Sequence, residues 1–339
     1  MKKIGMLLLL MAVAVGLAAC KDQFSGTENT EEAMTGEEMA ESTVSAPETV
    51  IIKSLNANKE EIELEVPYQP ERIAVLDMAA LDILDSLGLG ERVVGSADIS
   101  LDYLKKYHEM EGMGRLGTIK EADLEAVMAS EPDVIFIGGR LAASYDALNE
   151  IAPVIYLAPD QEAGVMESVK KNAGIIASLF GAEEKVEGLM AGFDSRVEAL
   201  AAFAKGKNAM IGLVTSGGFN VLGNDGRCSI IGREIGFENL ADAEVTSTHG
   251  NEASFEFLVE KDPQYLFVLD RDAAVGTQGA RPAREIVENE LVKGTNAYQN
   301  GGLVYLENPA VWYTAEGGIT ALDLMLGDLE NALLKVQQG

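Results

Sequence analysis

The sequence predicts an α/β protein with two similar lobes and a helical crossing between them. Three observations carry this reading. The stretch Phe255–Arg271 (FEFLVEKDPQYLFVLDR) repeats an earlier one, Leu124–Arg140 (LEAVMASEPDVIFIGGR), at a constant offset of 131 residues. In both copies an apolar residue and a Glu open a short amphipathic segment, Pro follows seven residues after the Glu, and Arg stands eight residues after the Pro. A short helix, a Pro that cannot continue it and a buried apolar strand make one αβ step of a parallel sheet. So long an offset fits two lobes and not a solenoid, whose period is roughly 20–50 residues. The second observation is a fainter echo, PVIYLAP at 153–159 against LVYLENP at 303–309, each a strand closed by Pro. The third is the absence of any strand pattern from about 164 to 205, where there are only helix formers, broken at Gly181.

Taken in order, the chain opens with Lys2 and Lys3 before an apolar run, Ile4 to Ala19, too short for a membrane span of about 20 residues. Residues 1–19 therefore read as a secretion signal. Leu17-Ala18-Ala19-Cys20 looks like a bacterial lipobox, whose Cys20 thiol is acylated to anchor the mature chain; the alternative is a plain secretory signal with an incidental Cys. Residues 20–48 are acidic and poor in apolar side chains, and read as a disordered tether. The first lobe is expected over 49–163. It starts with a hairpin, Val50–Val66, around Asn56-Ala57-Asn58, then a strand at Arg72–Asp77, a helix ended by Gly88, a strand at Val93–Ser96 and a Gly-rich loop, Gly112–Lys120, before the first repeat copy. Linking helices occupy 164–206. The second lobe, 207–339, begins with a strand at Asn208–Thr215 and ends in a helix, Gly318–Val336, with Ile319, Leu322, Leu326, Leu329 and Leu333 on one face.

Composition narrows the function. With 55 acidic and 26 basic residues the net charge is −29, which argues against a nucleic-acid surface or a polybasic membrane contact. With Cys20 used as the anchor, Cys228 is alone and the mature protein has no intrachain disulfide to form. No Gly-rich loop ends in Lys-Ser or Lys-Thr, and there is no G-x-S-x-G elbow or H-E-x-x-H helix. His108 and His249 are too few for a multi-His metal site. His108, in KKYHEM, reads as solvated, and Ser216-Gly217-Gly218 lacks a partner His for a nucleophile turn. The chain is accordingly read as a non-enzyme with no intrinsic cofactor.

The informative residues follow predicted strands, where open α/β sheets bind ligands. Arg140 and Arg271 end the two repeat strands, and Arg227 lies in the loop NDGRCSII. A single Arg in such a place is commonly a surface salt bridge. Two at equivalent positions of a repeat, in so acidic a chain, point to a shared anionic ligand, which guanidinium suits by its permanent charge and planar paired donors. His249, in a Ser-Thr-His-Gly turn, and Tyr313, after the last strand, carry atoms that ferric iron accepts as donors. A hydrogen-bonding turn His and a Trp-Tyr pair packing in the core or as a lid are the alternatives.

The lipobox, the helical crossing and the run STHGNEASFEFLVEKDPQYLFVLDR followed by LVYLENPAVWY resemble the iron-siderophore substrate-binding lipoproteins of ABC importers. The similarity is greatest to the branch binding ferric catecholates such as petrobactin, and covers about Val50 to Val336. It implies two Rossmann-like lobes joined by a long rigid helix. It implies that Arg140, Arg227, Arg271 and Trp312 bind an anionic ferric complex, and that His249 and Tyr313 complete the iron coordination of a tetradentate siderophore. It also implies docking on an ABC permease through one carboxylate per lobe, for which Glu125 and Glu256 are the repeat-equivalent candidates and Glu121 a competitor; helix first-turn charges favoured by the macrodipole are the alternative. Cys228 departs from the family pattern, in which a bulky aromatic follows this Arg. The expected protein is a monomer, lipid-anchored on the extracytoplasmic face of the cell membrane of a Gram-positive bacterium. The rivals on the same fold are haem, a hydroxamate siderophore, ferric citrate or cobalamin as ligand. From other classes come a metal-dependent or oxidoreductase enzyme, for which no cofactor fingerprint exists, and a surface adhesin, which the tether supports but the Arg set does not.

Overall fold

The computed structural model describes residues 47–245, 247 and 250–334. The signal sequence, Cys20, the tether as far as residue 46, and His249 lie outside the described residues. Strands β1 (Thr49–Leu55) and β2 (Glu61–Pro67) form the expected hairpin, a two-stranded antiparallel sheet of its own. The Asn56 side chain closes its turn by accepting the N–H groups of Asn58 and Glu60.

The first large sheet holds β3 (Ile73–Val75), β4 (Val93–Ser96), β5 (Gly114–Arg115), β6 (Val134–Ile137) and β7 (Val154–Tyr156), all parallel, in the order β5-β4-β3-β6-β7. That order places β3 and β6 at the point where the winding direction reverses, and ligands of such sheets bind beyond the strand ends at this point. The short β5 lies in what the sequence presents as a Gly-rich loop; a two-residue strand has no periodicity to read. Helix α1 (Met78–Ser86) follows β3, is capped by Asp77 accepting from Ala80 N, and gives way to Gly88 at φ 71.

The second sheet runs β11 (Asn251–Glu252), β9 (Gly218–Leu222), β8 (Asn208–Thr215), β12 (Tyr265–Asp270), β13 (Leu303–Tyr305), with β10 (Glu238–Asn239) against the start of β8. Here β9 pairs antiparallel with β8 through a two-residue turn, Ser216 at φ 51 and Gly217 at φ 78. Two successive left-handed residues match the twist of a tight hairpin, so Ser216-Gly217 is a turn and not a nucleophile elbow.

The repeat is physical. Helix α2 (Leu124–Ala129), capped by Asp123, corresponds to a later helix, Phe255–Lys261, capped by Ser254. The acidic residues before the two prolines, Glu131 and Asp262, both adopt the left-handed conformation, at φ 44 and 42. This kink turns each chain from helix into strand without using Gly. The last strand of each repeat pairs in parallel with its repeat strand, Ile135 opposite Val154 and Leu266 opposite Leu303, a register one residue out of step with the Pro-closed echo.

Three helices in succession make the crossing: α3 (Val165–Ser178), α4 (Glu183–Met190) and α5 (Phe193–Ala204). The first, with 14 residues, spans about 21 Å. Gly164 at its start offers no side-chain cap, and Glu234 from beyond β9 supplies one, accepting from Val165 N at 2.5 Å and Met166 N at 3.2 Å. After α6 (Phe255–Lys261) and α7 (Pro309–Thr314), the final helix α8 (Ile319–Leu333) turns back to pack on α1 and α5. Buried Asp82 of α1 accepts from Thr320 N and Ala321 N, both at 2.8 Å, and from Tyr103 Oη at 2.6 Å. One continuous buried cluster runs from β3 and β6 through α3, α5 and α8 to Phe267 and Leu213 of the second sheet. A smaller one fills the space between the opposite face of that sheet and α6.

Candidate ligand-binding site

Beyond the carboxyl ends of β3 and β6 lies a cleft of about 990 Å³, and the loop carrying Arg227 and the α7 end carrying Tyr313 close its other wall. Arg140 belongs to the short 3₁₀ helix, Gly139–Ser144, that follows β6. Gly138 just before it leaves room for the Asp77 carboxyl, which any Cβ there would overlap. From this helix Arg140 reaches across and donates to the backbone carbonyl of Tyr313 at 3.2 Å. Arg227 donates from Nε to the same carbonyl at 3.4 Å, and its guanidinium carbon lies 4.3 Å from the Tyr313 ring centroid. Arg140 and Arg271 lie 5.9 and 6.0 Å from that centroid. Residues separated by up to 173 positions thus converge on one phenol. Arg140, Arg227 and Tyr313 line the cleft, while Arg271 stands beside the phenol without lining it.

The charges shape one another. Burial alone would raise the Tyr313 phenol's pKa, but a hydrogen bond from Arg271 and the charges of Arg227, Arg271 and Arg140 outweigh it and hold the phenol below its usual value. Desolvation and the neighbouring Arg227 charge lower the affinity of Arg140 for its proton. Arg271 is bound more firmly to its proton by hydrogen bonds to Tyr313 and Asp272, the latter at 3.1 Å. Asp272, itself buried, also accepts from Ser216 N at 2.7 Å, so it ties the strand-end Arg to the β8–β9 turn. Glu316 at the base of the cleft accepts from Cys228 N at 2.9 Å, and desolvation pushes its carboxyl up to about 7. Asp77, pushed up by desolvation and partly offset by the Ala80 N–H and by Arg140, faces the same space.

Trp312 does not belong to the cleft. Its side chain is 0% exposed and its indole N–H donates to Asp328 Oδ2 at 2.9 Å, so it is a core residue with a satisfied polar end. Adjacent helical residues point about 100° apart, and facing Tyr313 into the cleft turns Trp312 away. His108 also departs from the solvated reading: its Nδ1 lies 3.0 Å from an Arg115 nitrogen and its Nε2 is enclosed without a hydrogen-bond partner. Glu125 and Glu256 are exposed in the first turns of α2 and α6, outside the cleft, as is Glu121 before α2. The carboxyls Asp77, Asp272 and Glu316 were not read as part of the site. Asp77 could have been found as an Asp between a strand and a helix, the N-cap signature; Glu316 meets its partner 88 residues away, which no local pattern encodes. Among the described residues no group of three or more His, Cys, Asp or Glu could hold a metal ion, and no helix is long and apolar enough to cross a membrane.

Residues 73–310 match the family described as periplasmic binding protein. The chain is 31% identical over 339 residues to the petrobactin-binding protein YclQ of Bacillus subtilis, covering 99% of this chain and 100% of that protein. The crystal structure of YclQ matches with a TM-score of 0.77 at 31% identity, over 85% of this chain and 99% of its own. That of the periplasmic catecholate-siderophore binding protein VctP from Vibrio cholerae matches with a TM-score of 0.76 at 30% identity, over 83% of this chain and 100% of its own.

Proposed function

The chain belongs to the periplasmic binding protein family, and from that premise we propose that it captures a ferric siderophore of the catecholate type and delivers it to the permease of an ABC importer. It is a binding protein and not an enzyme. The observation that carries the ligand class is the convergence of Arg140, Arg227 and Arg271 on Tyr313. Ferric bis-catecholate is anionic, and three cations in a half-desolvated cleft stabilise it, where they would repel a cationic ligand and lose hydration uncompensated to an apolar one. The phenol held below its usual pKa is a competent donor to iron, and His249 is its proposed companion when the siderophore leaves two coordination positions vacant. The names of the two relatives above agree with this reading.

The protein is proposed to act as a lipid-anchored monomer, held through Cys20 and the acidic tether on the extracytoplasmic face of a Gram-positive cell membrane. Its lobes are proposed to divide at 49–163 and 207–339, with the crossing between them. Glu125 and Glu256 are proposed to dock on the permease, since equivalent repeat positions give each lobe one exposed carboxylate. Calorimetric titration of the purified protein tests the ligand. The ferric complex of a tetradentate bis-catechol should bind more tightly than a neutral ferric tris-hydroxamate or haem; equal or weaker binding would overturn the catecholate assignment. For docking, a Glu125→Ala/Glu256→Ala double variant should bind the ferric complex normally and fail to support iron uptake by cells, and normal uptake would remove these carboxylates from the docking role.

A further inference from the structure

One carboxyl at the base of the cleft has a function that ligand charge alone does not require. Glu316 stands three residues beyond Tyr313, just past α7, and accepts the backbone N–H of Cys228 at 2.9 Å. Cys228 has φ 61, a left-handed conformation that a residue with a Cβ rarely adopts, and its side chain is fully buried. Such a conformation persists only where the surroundings hold it. The peptide unit that Glu316 holds joins Arg227 to Cys228, and its orientation sets the direction in which the Arg227 side chain leaves the backbone. Arg227 in turn donates to the Tyr313 carbonyl at 3.4 Å and covers the Tyr313 ring at 4.3 Å. The loop and the end of α7 are therefore latched in both directions, a guanidinium onto a backbone carbonyl one way and a backbone N–H onto a carboxyl the other.

We propose that Glu316 is a positioning residue: its carboxyl oxygen holds the Arg227–Cys228 peptide in a left-handed turn and thereby aims the Arg227 guanidinium into the cleft. This rests on the anionic-ligand reading above for its consequence, and on the turn geometry alone for its structural content. Without the acceptor, the turn relaxes toward ordinary φ and carries the cation away from Tyr313. A glutamine keeps an acceptor oxygen at the same place; an alanine removes it.

Calorimetric titration with the ferric complex of a synthetic bis(catecholamide) tests the consequence. Glu316→Ala should weaken binding about tenfold or more, and Glu316→Gln should stay within about threefold of the parent. A Glu316→Ala/Arg227→Ala double variant should bind no worse than Arg227→Ala alone, because both act through one cation. Effects that multiply, or a Gln variant as weak as the Ala variant, would overturn the proposal. The turn itself is tested without ligand by NMR. The ring current of Tyr313 should displace the Arg227 Nε–H signal in the parent and in Glu316→Gln, and Glu316→Ala should lose that displacement; its retention would overturn the proposal. If the parent takes up no probe while the NMR signals behave as expected, the ligand reading fails and the positioning role stands. Should Glu316→Ala not fold, Glu316→Met keeps the volume, lacks the oxygen and takes its place in both measurements.

Discussion

Three guanidiniums around one phenol would repel one another in a partly dry cleft, and each has a carboxyl to moderate its charge. Asp77 faces Arg140, Asp272 bonds Arg271 at 3.1 Å, and Glu316 lies near Arg227. With Asp77 and Glu316 both pushed toward protonation, these carboxyls offset only part of the charge, and the empty cleft keeps a net positive character for an anionic ligand to meet. Arg140→Ala should cost about 1.5–3 kcal/mol of ferric-catecholate binding, whereas Lys261→Ala on the remote α6 should cost nothing measurable; equal losses in a titration would remove Arg140 from the site. Glu316 gives a separate test through stability. Its carboxyl titrates near 4.5 when unfolded and about 7 when folded, so between these values the native state keeps a proton that the unfolded chain has lost. The stability it contributes is full below pH 4.5, falls as pH rises to 7 and is gone above, a change of at most roughly 3 kcal/mol. Glu316→Gln should flatten that slope. Urea unfolding at pH 5 and pH 8 checks it, and an unchanged difference between the two pH values in the variant would show that Glu316 does not titrate as described.

At the scale of elements, the repeat was legible because its parts obey local rules: a cap, an amphipathic turn, a Pro, an apolar strand. The left-handed Glu131 and Asp262 show what the sequence hid within it, since nothing in an acidic residue announces positive φ. Strand β9 was missed because Gly218–Leu222 is short and follows a Ser-Gly-Gly run that reads as loop until its turn type is known. Arg140 and Arg271 were legible as strand ends, but their meeting at Tyr313 is tertiary, and so is the rotation that hides Trp312 in the core. The cap of α8 is the clearest case of distant supply. Gly318 has no side chain to offer and a Cβ there would overlap Asp82, so α1 caps a helix more than 230 residues away. Asp82→Ala leaves two helix N–H groups and the Tyr103 hydroxyl without their acceptor, and should cost about 3–5 kcal/mol of stability. Urea unfolding measures this; a loss under about 1 kcal/mol would mean that water replaces the carboxylate.

For the whole molecule, the chain crosses between its sheets twice, once through α3, α4 and α5 and again when α8 returns to α1. Arg196 of α5 fastens that return with ion pairs to Asp323 at 2.5 Å and Glu330 at 2.7 Å. Glu234 fastens the first crossing from the other side by capping α3. Such a doubly braced joint favours a small rocking of the lobes over wide hinge opening when ligand enters. The single buried cluster that passes through both braces has a thermodynamic consequence. Although the two sheets carry copies of one design and the second keeps a smaller cluster of its own, neither copy owns the whole of its interior, because α8 comes from the end of the chain and completes the core beside α1 near its beginning. Heat should therefore melt residues 47–334 in one cooperative transition, with calorimetric and van't Hoff enthalpies that agree. Two resolved transitions would contradict the shared interior. A chain severed between α5 and β8 should yield pieces that aggregate separately and recover native structure only when refolded together, so that a duplicated design has become an indivisible folding unit.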